Sequence, residues 1–239
     1  MRRVVVAAAV ALLGFSGAQA APVSLDSLSA VWISQTGGSN VTGIGTNEFR
    51  WGTSRDTTLG NAGLRFDVMG SPAAIETDQI FRLGELSHIN PVSNGSASTS
   101  ATLRFTLGIN GQTQDFDFVF NIDQTDNMVP LSECGPWQRT DVACDDVITF
   151  PQALSSTVIN INGTNYRLLL HGFSDLREGP QLDRFVTEER TINTTSLWAE
   201  ITDRIQVLPT PSALMIFCIG LAGLALLGTG RRRSARIPL

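Results

Sequence analysis

The sequence contains no lysine, and all 17 of its basic residues are arginines. Six of these arginines lie at the two ends of the chain, which leaves eleven arginines against 22 acidic side chains in the central region, residues 21–207. The central region therefore carries a net charge near −11. The phosphate backbone of nucleic acid would repel such a surface, so we expect no nucleic-acid partner.

Sequence motifs for catalysis are also missing. There is no Gly-x-Ser-x-Gly elbow and no His-Glu-x-x-His helix motif, and no spacing singles out a pair of carboxylates. Five aspartates surround one loop region and would offer the oxygen ligands that calcium prefers, although the EF-hand spacing is absent: Asp123, Asp126, Asp141, Asp145 and Asp146. A solvated acidic loop is the simpler interpretation. We expect no enzyme, no catalytic residues and no resident cofactor or metal.

Cysteine is scarce, with three residues in the chain. Cys218 lies in an apolar stretch, where a cysteine behaves as a small hydrophobic residue. Cys134 and Cys144 are ten residues apart around Gly135 and Pro136. Two interpretations are open for this pair, a disulfide and a metal site. No further cysteine or histidine lies nearby, so we predict the disulfide.

Long amphipathic helical patterns are absent from the central region, and alternating patterns take their place. Asp115–Ile122 and Thr102–Ile109 alternate apolar and polar residues, and Asn110-Gly111 between them is typical of a hairpin turn. Asn162-Gly163 predicts a second hairpin. Further predicted strands cover 30–35, 48–51, 64–69, 80–87, 147–150 and 196–207. The pattern predicts an all-β fold, a single β-sandwich over residues 21–207 that is either jelly-roll-like or immunoglobulin-like.

The two ends of the chain are apolar. Arg2 and Arg3 precede an apolar run, and Ala18-Gln19-Ala20 is typical of a cleavage site before Ala21, which predicts a signal peptide over residues 1–20. Residues 212–230 carry no charge and are long enough to cross a bilayer as a helix of about 28 Å. An arginine cluster follows this span and favours the cytoplasmic side: Arg231, Arg232 and Arg233.

The tail over residues 208–239 resembles a PEP-CTERM sorting domain, which has a Pro-x-Pro motif, an apolar span and an arginine cluster. Here the motif is Pro209-Thr210-Pro211, with threonine in place of the usual glutamate. The resemblance implies a partner enzyme, an exosortase, that cleaves near the motif. It also implies export across the inner membrane of a Gram-negative bacterium, a C-terminal membrane anchor, and delivery to the cell surface or extracellular matrix after processing.

The central region is similar to the THxN subfamily of these proteins. The similar stretches are "RWGT" at residues 50–53, "FRLGELSHINPV" at 81–92 and the Cys134/Cys144 region followed by "DDVITF". The motif Thr-His-x-Asn appears as Ser87-His88-Ile89-Asn90. On an extended strand His88 and Asn90 share one face and Ser87 points the opposite way. We interpret His88 and Asn90 as structural groups at a strand end; a metal ligand, for instance with His171, is the alternative.

Three classes of function are compatible with these observations. The first is a non-enzymatic surface or matrix protein associated with exopolysaccharide or a biofilm. The second is a binding module for polysaccharide or calcium, which needs an exposed aromatic platform from among the four tryptophans: Trp32, Trp51, Trp137 and Trp198. The third is a secreted hydrolase, which needs two carboxylates in a cleft. The first class needs only features already seen, and we expect it.

Overall fold

The structure is a computed structural model and describes residues 22–55, 57–70, 74–125, 130–136, 144–175 and 182–203. The predicted signal peptide, sorting motif and membrane span lie outside these residues. Among the described residues, no helix is long and apolar enough to cross a membrane.

The regular secondary structure of the described residues consists of β-strands and one short 3₁₀ helix, Leu131–Glu133. The strands are β1 Pro22–Val23, β2 Leu25–Gly37, β3 Glu48–Trp51, β4 Thr53–Ser54, β5 Ala62–Val68, β6 Ile75–Glu76, β7 Phe81–Asn90, β8 Ser93–Asn94, β9 Ser98–Ile109, β10 Gln112–Asp123, β11 Asp146–Thr149, β12 Ile159–Ile161, β13 Thr164–Phe173, β14 Arg184–Thr187 and β15 Thr191–Thr202.

Two antiparallel sheets form a sandwich-like fold. The five-stranded sheet has the order β14-β11-β10-β9-β2, and the six-stranded sheet has the order β12-β13-β15-β7-β5-β3. Two small pairs, β1-β6 and β4-β8, lie beside them. The predicted all-β, sandwich-like fold is therefore confirmed for the described residues.

The core follows directly from the alternating patterns of β9 and β10. Phe105 of β9 pairs with Phe116 of β10, and both are fully buried. The ring of Phe105 meets Phe66 of β5 in the opposite sheet edge to face, with centroids 5.2 Å apart. Aromatic rings from both sheets therefore interlock in the core, a geometry that adds stability beyond area burial.

Both predicted hairpin turns are present. Asn110 and Gly111 have φ angles of 49° and 75° and join β9 to β10. Asn162 and Gly163 have φ angles of 52° and 87° and join β12 to β13. Positive φ at both central residues is the condition for a type I′ turn, and Asn-Gly meets it at the lowest steric cost.

The strands differ from their predictions mostly at their ends. β2 runs from Leu25 to Gly37 although only residues 30–35 were predicted, and it carries three register shifts against β9. Such bulges protect a long edge strand from pairing with other chains. β15 begins at Thr191 and not at residue 196, because the polar run at its start pairs with β7. β14 was not predicted.

The first and last described residues lie at the same end of the sandwich. β1 pairs with β6, and the Asp78 N–H beyond β6 donates to the Ile201 carbonyl at 2.8 Å. The Thr202 hydroxyl also bonds the Asp78 carboxylate at 2.6 Å. Asn90, which pairs with Thr191 at the start of β15, lies at the opposite end, and we call that end distal.

Candidate functional site

The motif Ser87-His88-Ile89-Asn90 forms the last part of β7. Leu86, His88 and Asn90 face the five-stranded sheet, whereas Ser87 lies on the outer face and exchanges a 2.9 Å hydrogen bond with Thr194. β7 ends at Asn90 because Pro91 has no N–H with which to continue a central ladder. The motif therefore brings two polar side chains into the interior at the distal end.

His88 links the two sheets. Its ring is fully buried and stacks on Trp51, with centroids 6.1 Å apart and planes inclined by 19°. Its Nδ1 lies 2.8 Å from Oγ1 of Thr187 on β14, and the Thr187 hydroxyl lies 3.5 Å from the Asp146 carbonyl. His88 Nδ1 and the Thr187 hydroxyl share one hydrogen bond that joins the two sheets. Burial lowers the pKa of His88 to about 3, so the ring is neutral near pH 7.

Asn90 bonds the turn between β14 and β15. Its Nδ2 donates to the Glu188 carbonyl at 3.3 Å, and its own backbone carbonyl accepts from Arg190 N–H at 2.6 Å. Asn193 holds the same turn from the neighbouring strand, since its amide bonds both the N–H and the carbonyl of Glu188. The Oδ1 atom of Asn90 is buried without a hydrogen-bond partner among the described residues.

Asp146 is the first residue of β11 and is also fully buried. Its Oδ1 accepts from the Thr125 N–H at 2.7 Å and lies 3.1 Å from the Thr125 hydroxyl oxygen. Burial raises the pKa of Asp146 to about 6, although the Thr125 groups and the neighbouring Asn90 and Gln124 amides act to lower it.

These side chains form one cluster, which we call the distal polar cluster: Trp51, His88, Asn90, Gln124, Thr125, Asp146 and Thr187. Trp51 joins it through its indole N–H, which donates to Gln124 Oε1 at 3.0 Å. The cluster unites the three stretches that carry the THxN resemblance, "RWGT", "SHIN" and "DDVITF". Sequence reasoning singled out each stretch but not their meeting in space. It missed Gln124, Thr125 and Thr187, and no local pattern marks them.

The disulfide predicted between Cys134 and Cys144 is present, with the Cα atoms 5.2 Å apart. Cys144 is buried, and its carbonyl accepts from the Thr125 hydroxyl at 2.7 Å. The bond therefore anchors the chain just before Asp146 enters β11. Closing a loop of this length stabilises a fold by about 2–3 kcal/mol on the chain-entropy argument.

The aspartates of the calcium alternative do not converge in the described structure. Asp145 and Asp146 are buried, whereas Asp123 at the end of β10 is exposed; Asp126 and Asp141 lie outside the described residues. In the residues that the structure describes, no three His, Cys, Asp or Glu side chains form a group that could hold a metal ion.

The two histidines do not meet. His88 pairs across the sheet with Asn193, whereas His171 bonds Glu200, seven residues further along β15, at 2.9 Å. Seven residues of a strand span about 23 Å. The suggested metal pair of His88 and His171 is therefore wrong.

Three of the four tryptophans are core residues. Trp32, Trp51 and Trp198 are buried, and the indole N–H of Trp198 donates to the Ser174 carbonyl at 2.8 Å. The idea that these three form an exposed platform for sugars is therefore wrong. Trp137 lies outside the described residues.

No protein-family model matches the chain, and no curated protein matches it.

Replacing His88 with alanine should lower the free energy of unfolding by about 1–3 kcal/mol at pH 7, because Thr187 loses its buried partner and Trp51 loses a stacked ring. Chemical denaturation of the full chain in non-ionic detergent measures this loss. His171→Ala is the matched control, since His171 is partly exposed and should cost less. A wild-type-like unfolding curve for His88→Ala, with added zinc or calcium stabilising only the wild type, would contradict the structural role.

Proposed function

We propose that the protein is an exported, non-enzymatic protein of the cell surface or extracellular matrix, of the PEP-CTERM THxN kind. The observation that carries this proposal is the burial of His88, Asn90 and Asp146 in the distal polar cluster. His88, Asn90 and Asp146 are each at most 1% exposed, and their bonds run between strands and turns of the two sheets. Buried side chains that bond one strand to another stabilise the fold, and they are not accessible to a substrate.

Export is supported by the disulfide. Bonds between cysteines persist in oxidising compartments such as the periplasm and the cell exterior, and are rare in the cytosol. Cys134 and Cys144 form such a bond, and the sequence begins with the pattern of a signal peptide over residues 1–20. The domain would therefore fold after crossing the inner membrane.

For the finer fold we propose the jelly-roll-like sandwich over the immunoglobulin-like one. Immunoglobulin domains use about seven to nine strands in two sheets. Here the two main sheets already hold five and six described strands, and the chain passes repeatedly from one sheet to the other. The repeated passage between the sheets favours the jelly-roll type, in which two Greek keys wind across both sheets.

For the tail we propose sorting by an exosortase-like enzyme. The support is the order of features after residue 207: Pro209-Thr210-Pro211, the apolar residues 212–230 and the arginines at 231–233. Before cleavage the apolar segment would hold the protein in the membrane. After cleavage the β domain would pass to the surface or to an exopolysaccharide matrix.

Intact-mass measurement of surface-extracted protein tests the sorting. In a host with an exosortase, we expect a mature form that lacks residues 1–20 and the apolar tail. In the same host without the exosortase gene, and in a variant with alanine at both Pro209 and Pro211, the tail should remain. Recovery of the complete tail in most wild-type molecules would contradict sorting and would leave a simple membrane anchor.

A further inference from the structure

A pocket of about 560 Å³ lies on the outer face of the six-stranded sheet, at the end opposite the distal polar cluster. Arg82 near the start of β7 and Trp198 of β15 pair across the sheet, and both side chains line the pocket. Trp198 is buried but does not belong to the hydrophobic core between the sheets. The pocket falls within the usual size range of small-molecule sites, about 300–1,000 Å³.

The walls of this pocket are held by backbone hydrogen bonds. The Met69 N–H donates to the Leu83 carbonyl at 3.1 Å, which fixes one wall beside β7. The other wall contains β6, which pairs with β1, and the Asp78 N–H just beyond it donates to the Ile201 carbonyl of β15 at 2.8 Å. The pocket is therefore formed before a ligand enters it.

The lining is mainly apolar. Met69 is 39% exposed, which is high for a large hydrophobic side chain beside buried aromatic residues. A ligand with an apolar body would remove this surface from water, and the binding would be driven by the hydrophobic effect. Six of the described lining residues are apolar: Met69, Ala74, Ile75, Ile80, Phe81 and Trp198.

Arg82 supplies the positive charge of the lining. Its guanidinium is always protonated, and Nη2 donates to Glu85 on one side. A guanidinium has five N–H donors and one carboxylate engages about two of them, so Arg82 keeps donors for a second carboxylate. Glu76 and Glu85 are exposed, and water therefore screens their negative charges.

We propose that this pocket binds an amphipathic carboxylate, a molecule with an apolar chain or ring that ends in a carboxylate group. The apolar body lies against Trp198, Phe81 and Met69, and the carboxylate accepts hydrogen bonds from Arg82. The site goes beyond the proposed surface role and does not depend on export or sorting, because none of its residues belongs to the signal peptide or the tail.

Equilibrium dialysis of the full chain in lipid nanodiscs tests the site, with binding to empty nanodiscs subtracted. The probes are 2-naphthoate and its neutral analogue 2-naphthamide. We expect saturable binding of naphthoate, about tenfold or more tighter than that of naphthamide, because the neutral probe cannot form the charge-assisted bond to Arg82. Equal affinity for the two probes, or no saturable binding of naphthoate, would overturn the proposal.

The variant Arg82→Gln separates the carboxylate contact from the apolar contacts. We expect it to bind the two probes equally, with the affinity for naphthamide unchanged. Arg65→Gln is the matched control, since Arg65 also forms ion pairs on this sheet, with Glu48 and Asp67, but does not line the pocket. A preference for naphthoate that survives in Arg82→Gln would show that Arg82 is not its partner.

The variant Gly70→Trp tests the location. Gly70 lines the pocket, and no atom lies within 4 Å of the position that a β-carbon would take there. A tryptophan side chain can therefore enter the pocket without backbone strain, and we expect both probes to lose their saturable binding while the thermal melt stays close to that of the wild type. Wild-type affinity in this variant would place the ligand elsewhere and contradict the site.

Discussion

Acidification from pH 6.5 to 3 should destabilise the folded protein through His88 by about 4–5 kcal/mol. Burial lowers the pKa of His88 from its ordinary 6.5 to about 3. Between these pH values the His88 side chain is protonated in the unfolded chain and neutral in the folded chain, so the free energy of unfolding falls as the pH falls. Above pH 6.5 the contribution is present in full, and below about pH 3 it is lost.

Asp146 acts in the opposite direction over part of this range. Its raised pKa of about 6 means that the folded state holds an extra proton between pH 3.8 and 6, and stability therefore rises as the pH falls through that window. The two buried groups offset each other there. The His88 contribution has to be measured as a difference between the wild type and a variant, in which the Asp146 contribution cancels.

The measurement is chemical denaturation of the wild type and of His88→Gln, in non-ionic detergent, at several pH values from 3 to 7.5. Glutamine does not titrate, so the difference in unfolding free energy should shrink or reverse by about 4–5 kcal/mol towards pH 3. Val119→Ala, at an exposed side chain that does not titrate, is the control and should show no such pH dependence. A pH-independent difference for His88→Gln would show that His88 is protonated freely in the folded state.

Phe105→Ala should lower the free energy of unfolding by about 3–5 kcal/mol, the usual cost of removing a fully buried phenylalanine. Phe105 lies in the middle of β9, with Ala30 and Phe116 as its neighbours across the strands. Its ring contacts Phe66 of the opposite sheet and Phe118 of β10, with centroids 5.2 Å and 6.1 Å away. The cavity would open between the two sheets, where backbone pairing prevents collapse.

Equilibrium urea unfolding of the full chain measures this loss. Val119→Ala is the control on the adjacent strand β10, because Val119 points outward and is 42% exposed. It should cost less than about 1 kcal/mol. A cost of that small size for Phe105→Ala would mean that β9 and β10 do not carry the core of the sandwich.

The strands that could be predicted are those with a strong local pattern. β3 was predicted with its observed bounds, Glu48–Trp51, and β9 and β10 were predicted within a few residues. In a half-buried strand apolar and polar residues alternate, so the strand is recognisable from its sequence. The two Asn-Gly turns were predictable for a similar reason, since positive φ restricts which residues fit.

The strands that were missed are β14 and the four two-residue strands β1, β4, β6 and β8. β14 has four residues, Arg184–Thr187, of which Phe185 and Thr187 are buried and Arg184 is exposed. β3 is equally short, so length does not explain the miss. The pairing of β14 with β11 is formed over some 40 residues of chain and leaves no local signal. Thr187, the partner of His88, therefore could not be placed from the sequence.

Local patterns in the chain thus specify an all-β core, the two tight turns and the inward face shared by His88 and Asn90, since each depends on residues close together in the sequence. The distal polar cluster depends on the tertiary structure. Trp51, His88, Asp146 and Thr187 come from four strands of two sheets, and their meeting follows from strand order and sheet packing. Burial in that packing, and not residue type, moves the pKa of His88 down and that of Asp146 up.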